Sequence, residues 1–376
     1  MNLRQLKLSN FKNYPEADLR FSGKINCFIG NNGAGKTNIL DAIHYLSFCK
    51  SYFNPVDSQN ILHDAPFFAI HGTYVQNGQP EDTVSCIQKR NHKKQFILND
   101  KEYSRLSDHI GLFPLVMISP YDRDLINDGS EVRRKYMDSV IAQFDRMYLD
   151  DLIQYNKALL QRNNLLKSFS DKHYFDSLGL ELWDVQLSRL GEKIFTRRKE
   201  FIEDFTPIFQ EYFRTIAPGG EQVSIGYESQ LHERPADELL AGSVERDRFM
   251  KFTTTGIHKD DLEMNIDGLP IKKFGSQGQQ KSYVVSLKLA QFEYTRNRKS
   301  FNPILLLDDI FDKLDDNRVE QIIGLVGHNN FGQVFITDTQ RGRIEQIFNK
   351  VKIDHRIFEI TSGRAEEIYD NNHQKP

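Results

Sequence analysis

Gly30-Asn31-Asn32-Gly33-Ala34-Gly35-Lys36-Thr37 stands directly after the apolar run Ile25-Asn26-Cys27-Phe28-Ile29 and just ahead of a segment with helical periodicity. In that segment Ile39, Ile43 and Leu46 share one face at i, i+4, i+7, with Leu40 beside them. Strand, glycine-rich loop and helix in this order make the GxxxxGK[ST] pattern a phosphate-binding loop rather than a chance turn. The glycines let backbone N–H groups curl round a β-phosphate, Lys36 reaches the β/γ oxygens, and the Thr37 hydroxyl ligates Mg²⁺. The dipole of the following helix adds partial positive charge at the same place. Gly30, Asn31, Asn32, Gly33, Ala34, Gly35, Lys36, Thr37 and Asn38 are therefore the expected phosphate-side contacts of a nucleotide.

Two later segments complete the motif set. Ile304-Leu305-Leu306-Leu307-Asp308-Asp309 is an apolar run ending in two carboxylates, the form of a Walker B strand. Asp308 is expected in the Mg²⁺ shell, and Asp309 next to it as acceptor of a proton from attacking water. Phe274-Gly275-Ser276-Gln277-Gly278-Gln279-Gln280 precedes an amphipathic helix and resembles the ABC signature SxGQ. Ser276, Gly278 and Gln279 would then offer hydroxyl and backbone donors to an anion. On the motif alone, Ser276 serves equally well as a plain helix N-cap. Asp312-Lys313-Leu314-Asp315 stands where a D-loop belongs. In the order P-loop, signature, Walker B and D-loop, the set implies ATP and Mg²⁺ as cofactors, with Lys36, Ser276 and Asp309 as the catalytic group.

At 376 residues the chain is long enough for about two to three domains. Hydrophobic residues at 39%, charged residues at 27% and a mean hydropathy of -0.55 describe a globular rather than a membrane chain. There is no run of about eighteen apolar residues, and Met1 to Lys12 is polar where a signal peptide needs an apolar stretch, so a cytoplasmic protein is expected. Cys27, Cys49 and Cys86 form no CxxC pair and read as free, buried thiols. A net charge of -3 supplies no global field for nucleic acid, so any DNA contact needs a local basic patch.

Along the chain, strand-like pattern runs from Phe67 to Ile118, with Asn99-Asp100 as a hairpin turn. Ser130 reads as the N-cap of a long helical stretch with Val140, Phe144, Leu152, Leu159 and Leu166 on its apolar side. A second helical run carries Trp183 to Tyr212 and stops at Pro218-Gly219-Gly220, with Pro207 expected to kink or restart it. Asp267-Gly268 turns another hairpin, and buried-type strands at Ile304 to Leu307 and Val334 to Thr337 flank a helix bearing Val319, Ile322, Ile323 and Val326. The expected fold is α/β: a P-loop NTPase, its head formed by 1–119 and 251–376 and interrupted by a mostly helical arm at 120–250.

Several segments outside the generic ATPase motifs resemble the RecF family. Leu8-Ser9-Asn10-Phe11-Lys12-Asn13-Tyr14 is similar to its FRNY-type start, and Ser119-Pro120-Tyr121-Asp122 through Gly129, Arg133-Arg134 and Met137-Asp138 to its SPxD…G…RR…D segment. Arg162-Asn163-Asn164-Leu165-Leu166-Lys167 looks like its RNxLLK stretch, and Gly256-Ile257-His258-Lys259-Asp260-Asp261 like GPHRDD. The resemblance implies a P-loop NTPase head of ABC/SMC-like type with an inserted arm domain, in an ATP-dependent DNA-binding protein of recombinational repair and replication-fork maintenance. It further implies a homodimer closed around Mg·ATP, Ser276 of one subunit facing the P-loop of the other, DNA at single-strand/double-strand gaps, and RecR-type and RecA-type partners in recombinase loading. The chain departs from the pattern in three places: Lys50-Ser51-Tyr52-Phe53-Asn54 lacks the arginine of SFR, Ser119-Pro120 replaces the glutamine of a Q-loop, and Asp338-Thr339 replaces a switch histidine. The last two point to slow turnover, and the resemblance implies a weak, DNA-stimulated ATPase.

Competing functions are an SMC-type clamp, which needs a longer coiled-coil arm, and a transporter ATPase subunit, which needs a compact insert and a membrane partner. Smaller features carry their own expectations. His258, Asp260 and Asp261 read as capping and bridging residues rather than a metal cluster. Lys89, Arg90, His92, Lys93 and Lys94, followed by Phe96, are either a phosphate-contact patch or a solvated hairpin face. Arg197-Arg198-Lys199 reads as a polar helix face.

Overall fold

The computed structural model describes residues 1–76, 80–172, 174–310, 331–340, 342 and 354–368. The D-loop segment Asp312 to Asp315 and the helix bearing Val319 to Val326 lie outside the described residues. The chain divides into two compact units, Met1–Asp122 with Gln291–Pro376, and Arg123–Ala290.

In the first unit two sheets share one helix. Among the described residues, six strands make a mixed sheet in the order Arg364–Glu367, His355–Thr361, Ile25–Ile29, Val334–Asp338, Ile304–Leu307, Leu115–Ile118. All neighbours are parallel except the edge hairpin of Arg364–Glu367. Ile25–Ile29, Ile304–Leu307 and Val334–Asp338 are buried at every position, as parallel strands covered on both faces must be. The second sheet is an antiparallel meander beginning with Tyr14–Arg20, Asn2–Phe11 and Phe67–Val75 and continuing through Asp82–Lys89 and Gln95–Leu98 to Lys101–Glu102. Its alternating strands put Leu6, Leu8, Phe68, Ile70, Val84 and Cys86 into one core with the helix Lys36–Phe48. That helix is buried from Ile39 through Ser47, so it is covered on every face rather than along one stripe, with Asp41, His44 and Ser47 buried among its apolar residues. The hairpin expected at Asn99-Asp100 forms, both residues having left-handed φ of 48° and 67°. The three cysteines are free and buried.

The second unit is built on helices Ser130–Ala142, Arg146–Lys172, Ser177–Ile216 and Ala236–Met250. It extends to Ala290, beyond the expected arm limit near 250, because Val223–Glu228 pairs antiparallel with Asp261–Ile266 and draws residues 251–290 into the same body. Gly129, not Ser130, is the N-cap of Ser130–Ala142. The helix Ser177–Ile216 neither stops nor restarts at Pro207. Buried Phe201, Phe205, Phe209 and Phe213 on both sides of the proline hold the turn against the lost N–H. The buried stripe of Arg146–Lys172 is Tyr148, Tyr155, Ala158, Arg162 and Leu166, whereas Leu152 and Leu159 are only half-buried. No described helix is long and apolar enough to cross a membrane.

Candidate nucleotide site

Three neighbouring parallel strands deliver the chemistry to one edge. The P-loop follows Ile25–Ile29, Asp308-Asp309 follows Ile304–Leu307, and Val334–Asp338 lies between the two. Their shared direction brings the carboxyl ends together, which is where ligands bind in α/β sheets of this kind. There the Thr37 hydroxyl donates to Asp308 Oδ1 at 2.8 Å.

The loop itself is tied down by its carbonyls. Lys36 is buried, and its Nζ donates to Gly30 O at 2.9 Å and Asn31 O at 3.2 Å. Asn13 Nδ2 and the Gly363 N–H both donate to Ala34 O, at 2.9 and 3.1 Å, and the Tyr14 hydroxyl donates to Gly35 O at 3.1 Å. With carbonyls of the loop engaged by the protein, its N–H groups are the ones left to cradle an anion. Glycine is required at Gly35, where φ is 118° and a Cβ would lie 2.5 Å from Asn13 Nδ2. It is required again at Gly363, whose Cβ would meet Asn13 O at 2.0 Å. Asn38, expected among the nucleotide contacts, donates through Nδ2 to Asn13 Oδ1 at 2.7 Å and so secures the clamp.

Asp308 is almost completely buried, and desolvation pushes its carboxyl up to about 6 against the opposing pull of hydrogen bonds from Thr37 and Thr337. A desolvated carboxylate 2.8 Å from the Thr37 hydroxyl is an undercompensated anion, and this pair fits Mg²⁺, which takes few protein ligands alongside phosphate and water. Asp309 is less buried and has a left-handed φ of 45°. Its N–H donates to Thr337 Oγ1 at 2.8 Å.

The signature lies in the second unit, and there the N-cap reading of Ser276 holds. Gln279 N–H donates to Ser276 Oγ at 3.2 Å, and Ser276 N–H donates to Gln279 Oε1 at 2.8 Å, a reciprocal capping box at the start of Gln277–Lys299. Ser276 and Gln277 are exposed. Capping uses the hydroxyl as an acceptor, so its O–H can still donate.

Elsewhere the sequence-level expectations divide. Arg198 is not on a polar face: it is buried, donating to Asp138 Oδ1 at 2.9 Å, Asp260 Oδ2 at 2.8 Å and Ile257 O at 2.8 Å. The charge was legible and its direction was not, since a buried arginine is paid no attention by hydropathy periodicity. Arg162 is likewise buried between Asp184 and Asp247, each at 2.5 Å. Asp261 holds Arg133 through two contacts, at 2.6 and 2.9 Å. His258 bridges Tyr155 and Thr253 O at 2.9 and 3.1 Å, and burial lowers its pKa to about 4, so the ring is neutral. Bridging is thus what these residues do, and no metal-holding cluster of three or more His, Cys, Asp or Glu occurs among the described residues. In the basic run, Lys94 turns inward to Asp57 at 2.8 Å, while Lys89, Arg90, His92 and Lys93 are exposed. Sequence reasoning missed Asn13, Tyr14 and Gly363 as P-loop clamps, and Thr337 altogether. For Asn13 and Tyr14 the family-like segment was the available signal, but nothing in it names the loop as their partner.

The profile of the RecF/RecN/SMC N terminal domain family matches residues 2–361. The DNA replication and repair protein RecF of Bacteroides fragilis is 51% identical over 369 residues, covering 98% of this chain and 99% of the relative. That of Flavobacterium johnsoniae is 50% identical over 360 residues, covering 96% and 100%. Among solved structures, the recombination mediator protein RecF-ATP in the RecFOR pathway superposes with a TM-score of 0.88 at 28% identity, over 98% of each chain. An Smc head domain with an extended coiled coil from Pyrococcus furiosus shares the fold at a TM-score of 0.58 and 17% identity.

Proposed function

Since the chain belongs to the RecF family of DNA replication and repair proteins, we propose that it is an ATP-dependent DNA-binding protein of recombinational repair. The hydrogen bond from Thr37 to Asp308 carries this reading, because it joins the P-loop to the Walker B carboxylate in a Mg·ATP-ready pair. In this role Thr37 and Asp308 hold Mg²⁺, which neutralises charge on the phosphates when bound. Lys36 and the loop N–H groups hold the β- and γ-phosphates. Asp309 orients water or takes its proton. Ser276 of a second copy faces the γ-phosphate, making an isologous homodimer that ATP closes and hydrolysis opens. DNA at single-strand/double-strand gaps is the substrate of the clamp, and RecR-type and RecA-type proteins are its partners. Support for the first comes from the relative described as RecF-ATP in the RecFOR pathway. Turnover is slow, in keeping with Ser119-Pro120 and Asp338-Thr339 where faster ABC ATPases carry glutamine and histidine.

Gel filtration with ATP, with ADP and with a gapped duplex tests the reading. ATP should give a dimer that retains DNA, and ADP a monomer that does not. A monomer in ATP that binds no DNA would sink it.

A further inference from the structure

Thr337 is fully buried near the end of Val334–Asp338, between the P-loop strand and the Walker B strand. The oxygen accepts the Asp309 N–H at 2.8 Å. Its proton has two carboxylate oxygens in reach, Asp308 Oδ1 at 2.9 Å and Asp309 Oδ1 at 3.3 Å. One hydroxyl therefore ties together the backbone of Asp309 and the side chains of both acids. The backbone contact matters because Asp309 has φ of 45°, a left-handed conformation that is unfavourable for a non-glycine residue and lasts only where neighbours hold it.

We propose that Thr337 is a positioning residue for ATP hydrolysis, holding Asp309 and Asp308 in their working orientation. The proposal rests on the role given above to Asp309. Thr337 is fully buried and its hydroxyl is engaged by the two acids, so its loss should slow turnover and leave nucleotide affinity intact. The competing account is that a β-branched residue is simply needed to fill this strand position, in which case valine would do as well.

Thr337→Val, Thr337→Ser, Asp309→Asn and the double variant Thr337→Val/Asp309→Asn decide the matter. Three quantities are measured: affinity for a fluorescent ATP analogue in EDTA, single-turnover hydrolysis with Mg²⁺, and amide exchange of the segment 308–310 in nucleotide-free protein. Thr337→Val should keep its affinity within about twofold, hydrolyse at least about tenfold more slowly, and exchange the Asp309 amide faster. Thr337→Ser should restore all three, and the double variant should be no slower than Asp309→Asn. If Thr337→Val does not fold, Thr337→Ala takes its place in every comparison. Wild-type hydrolysis in the hydroxyl-free variant beside a slow Asp309→Asn overturns the role of Thr337 alone, as does a serine variant no better than valine. Wild-type hydrolysis in Asp309→Asn overturns instead the assignment on which it rests.

Discussion

Thr37 and Asp308 are 271 residues apart in sequence and 2.8 Å apart as hydroxyl donor and carboxylate acceptor. The pair exists because Ile25–Ile29 and Ile304–Leu307 run parallel on either side of Val334–Asp338. The carboxylate end of this contact is buried, and that gives it a pH signature. The Asp308 pKa is raised from 3.8 to about 6, so the folded protein binds this proton more tightly than the unfolded chain does. Stability from the protonated form is present below about pH 4 and is lost as pH rises through 6. Asp308→Asn removes the buried charge and keeps an oxygen for Thr37 and Thr337. In nucleotide-free, metal-free protein it should therefore match wild type near pH 4 and exceed it at pH 7, by about 2–3 kcal/mol at most. Melting curves across that range check the prediction, and a gap that closes toward pH 7 contradicts it.

Lys36 supplies the mobile cation among fixed backbone donors, and its Nζ already lies against Gly30 O and Asn31 O. Lys36→Met should abolish ATP binding by equilibrium titration while the melting temperature stays near that of wild type. Unchanged ATP affinity in the folded variant would remove the P-loop assignment.

The exposed capping box at Ser276 sets up a second comparison. Ser276→Arg loses the cap, at a cost of about 1 kcal/mol, and places a bulky cation where the γ-phosphate of a second copy is to approach. ATP binding should be normal and the protein monomeric by gel filtration in ATP. Continued ATP-driven dimerisation of Ser276→Arg counts against the trans geometry.

Asp309→Asn keeps size and hydrogen bonding but removes the basic charge. The ATP-bound dimer should persist and hold gapped DNA longer, with single-turnover hydrolysis slowed at least about tenfold. Release of DNA at the wild-type rate despite blocked hydrolysis would break the coupling between site and clamp.

Arg162 neutralises Asp247, which is completely buried, as well as Asp184. Arg162→Met should destabilise the second unit by about 3–5 kcal/mol, because an uncompensated buried carboxylate remains. Adding Asp247→Asn should recover a large part of the loss in chemical denaturation, and full additivity of the two substitutions would disprove the pairing.

The P-loop, the Walker B strand and the helix cap at Ser276 were readable in the chain because each is a local pattern: a glycine spacing, a run of apolar residues, or a cap at a helix start. The turns at Asn99-Asp100 and Asp267-Gly268 were readable for the same reason, since left-handed φ is written into residue type. Long-range pairing is not written that way. Arg198 looks like any surface charge until Asp138 and Asp260 are brought to it from 60 and 62 residues away. The extent of the second unit depended on Val223–Glu228 finding Asp261–Ile266, a register that neither strand specifies alone. The clamp of Asn13, Tyr14 and Gly363 on the loop came only with the packing of both sheets round one helix. So did the hydroxyl of Thr337 between two acids. Hydrogen bonds between distant residues depend on where the backbone carries them, and in this chain that was decided by strand order rather than by any residue's neighbours in sequence.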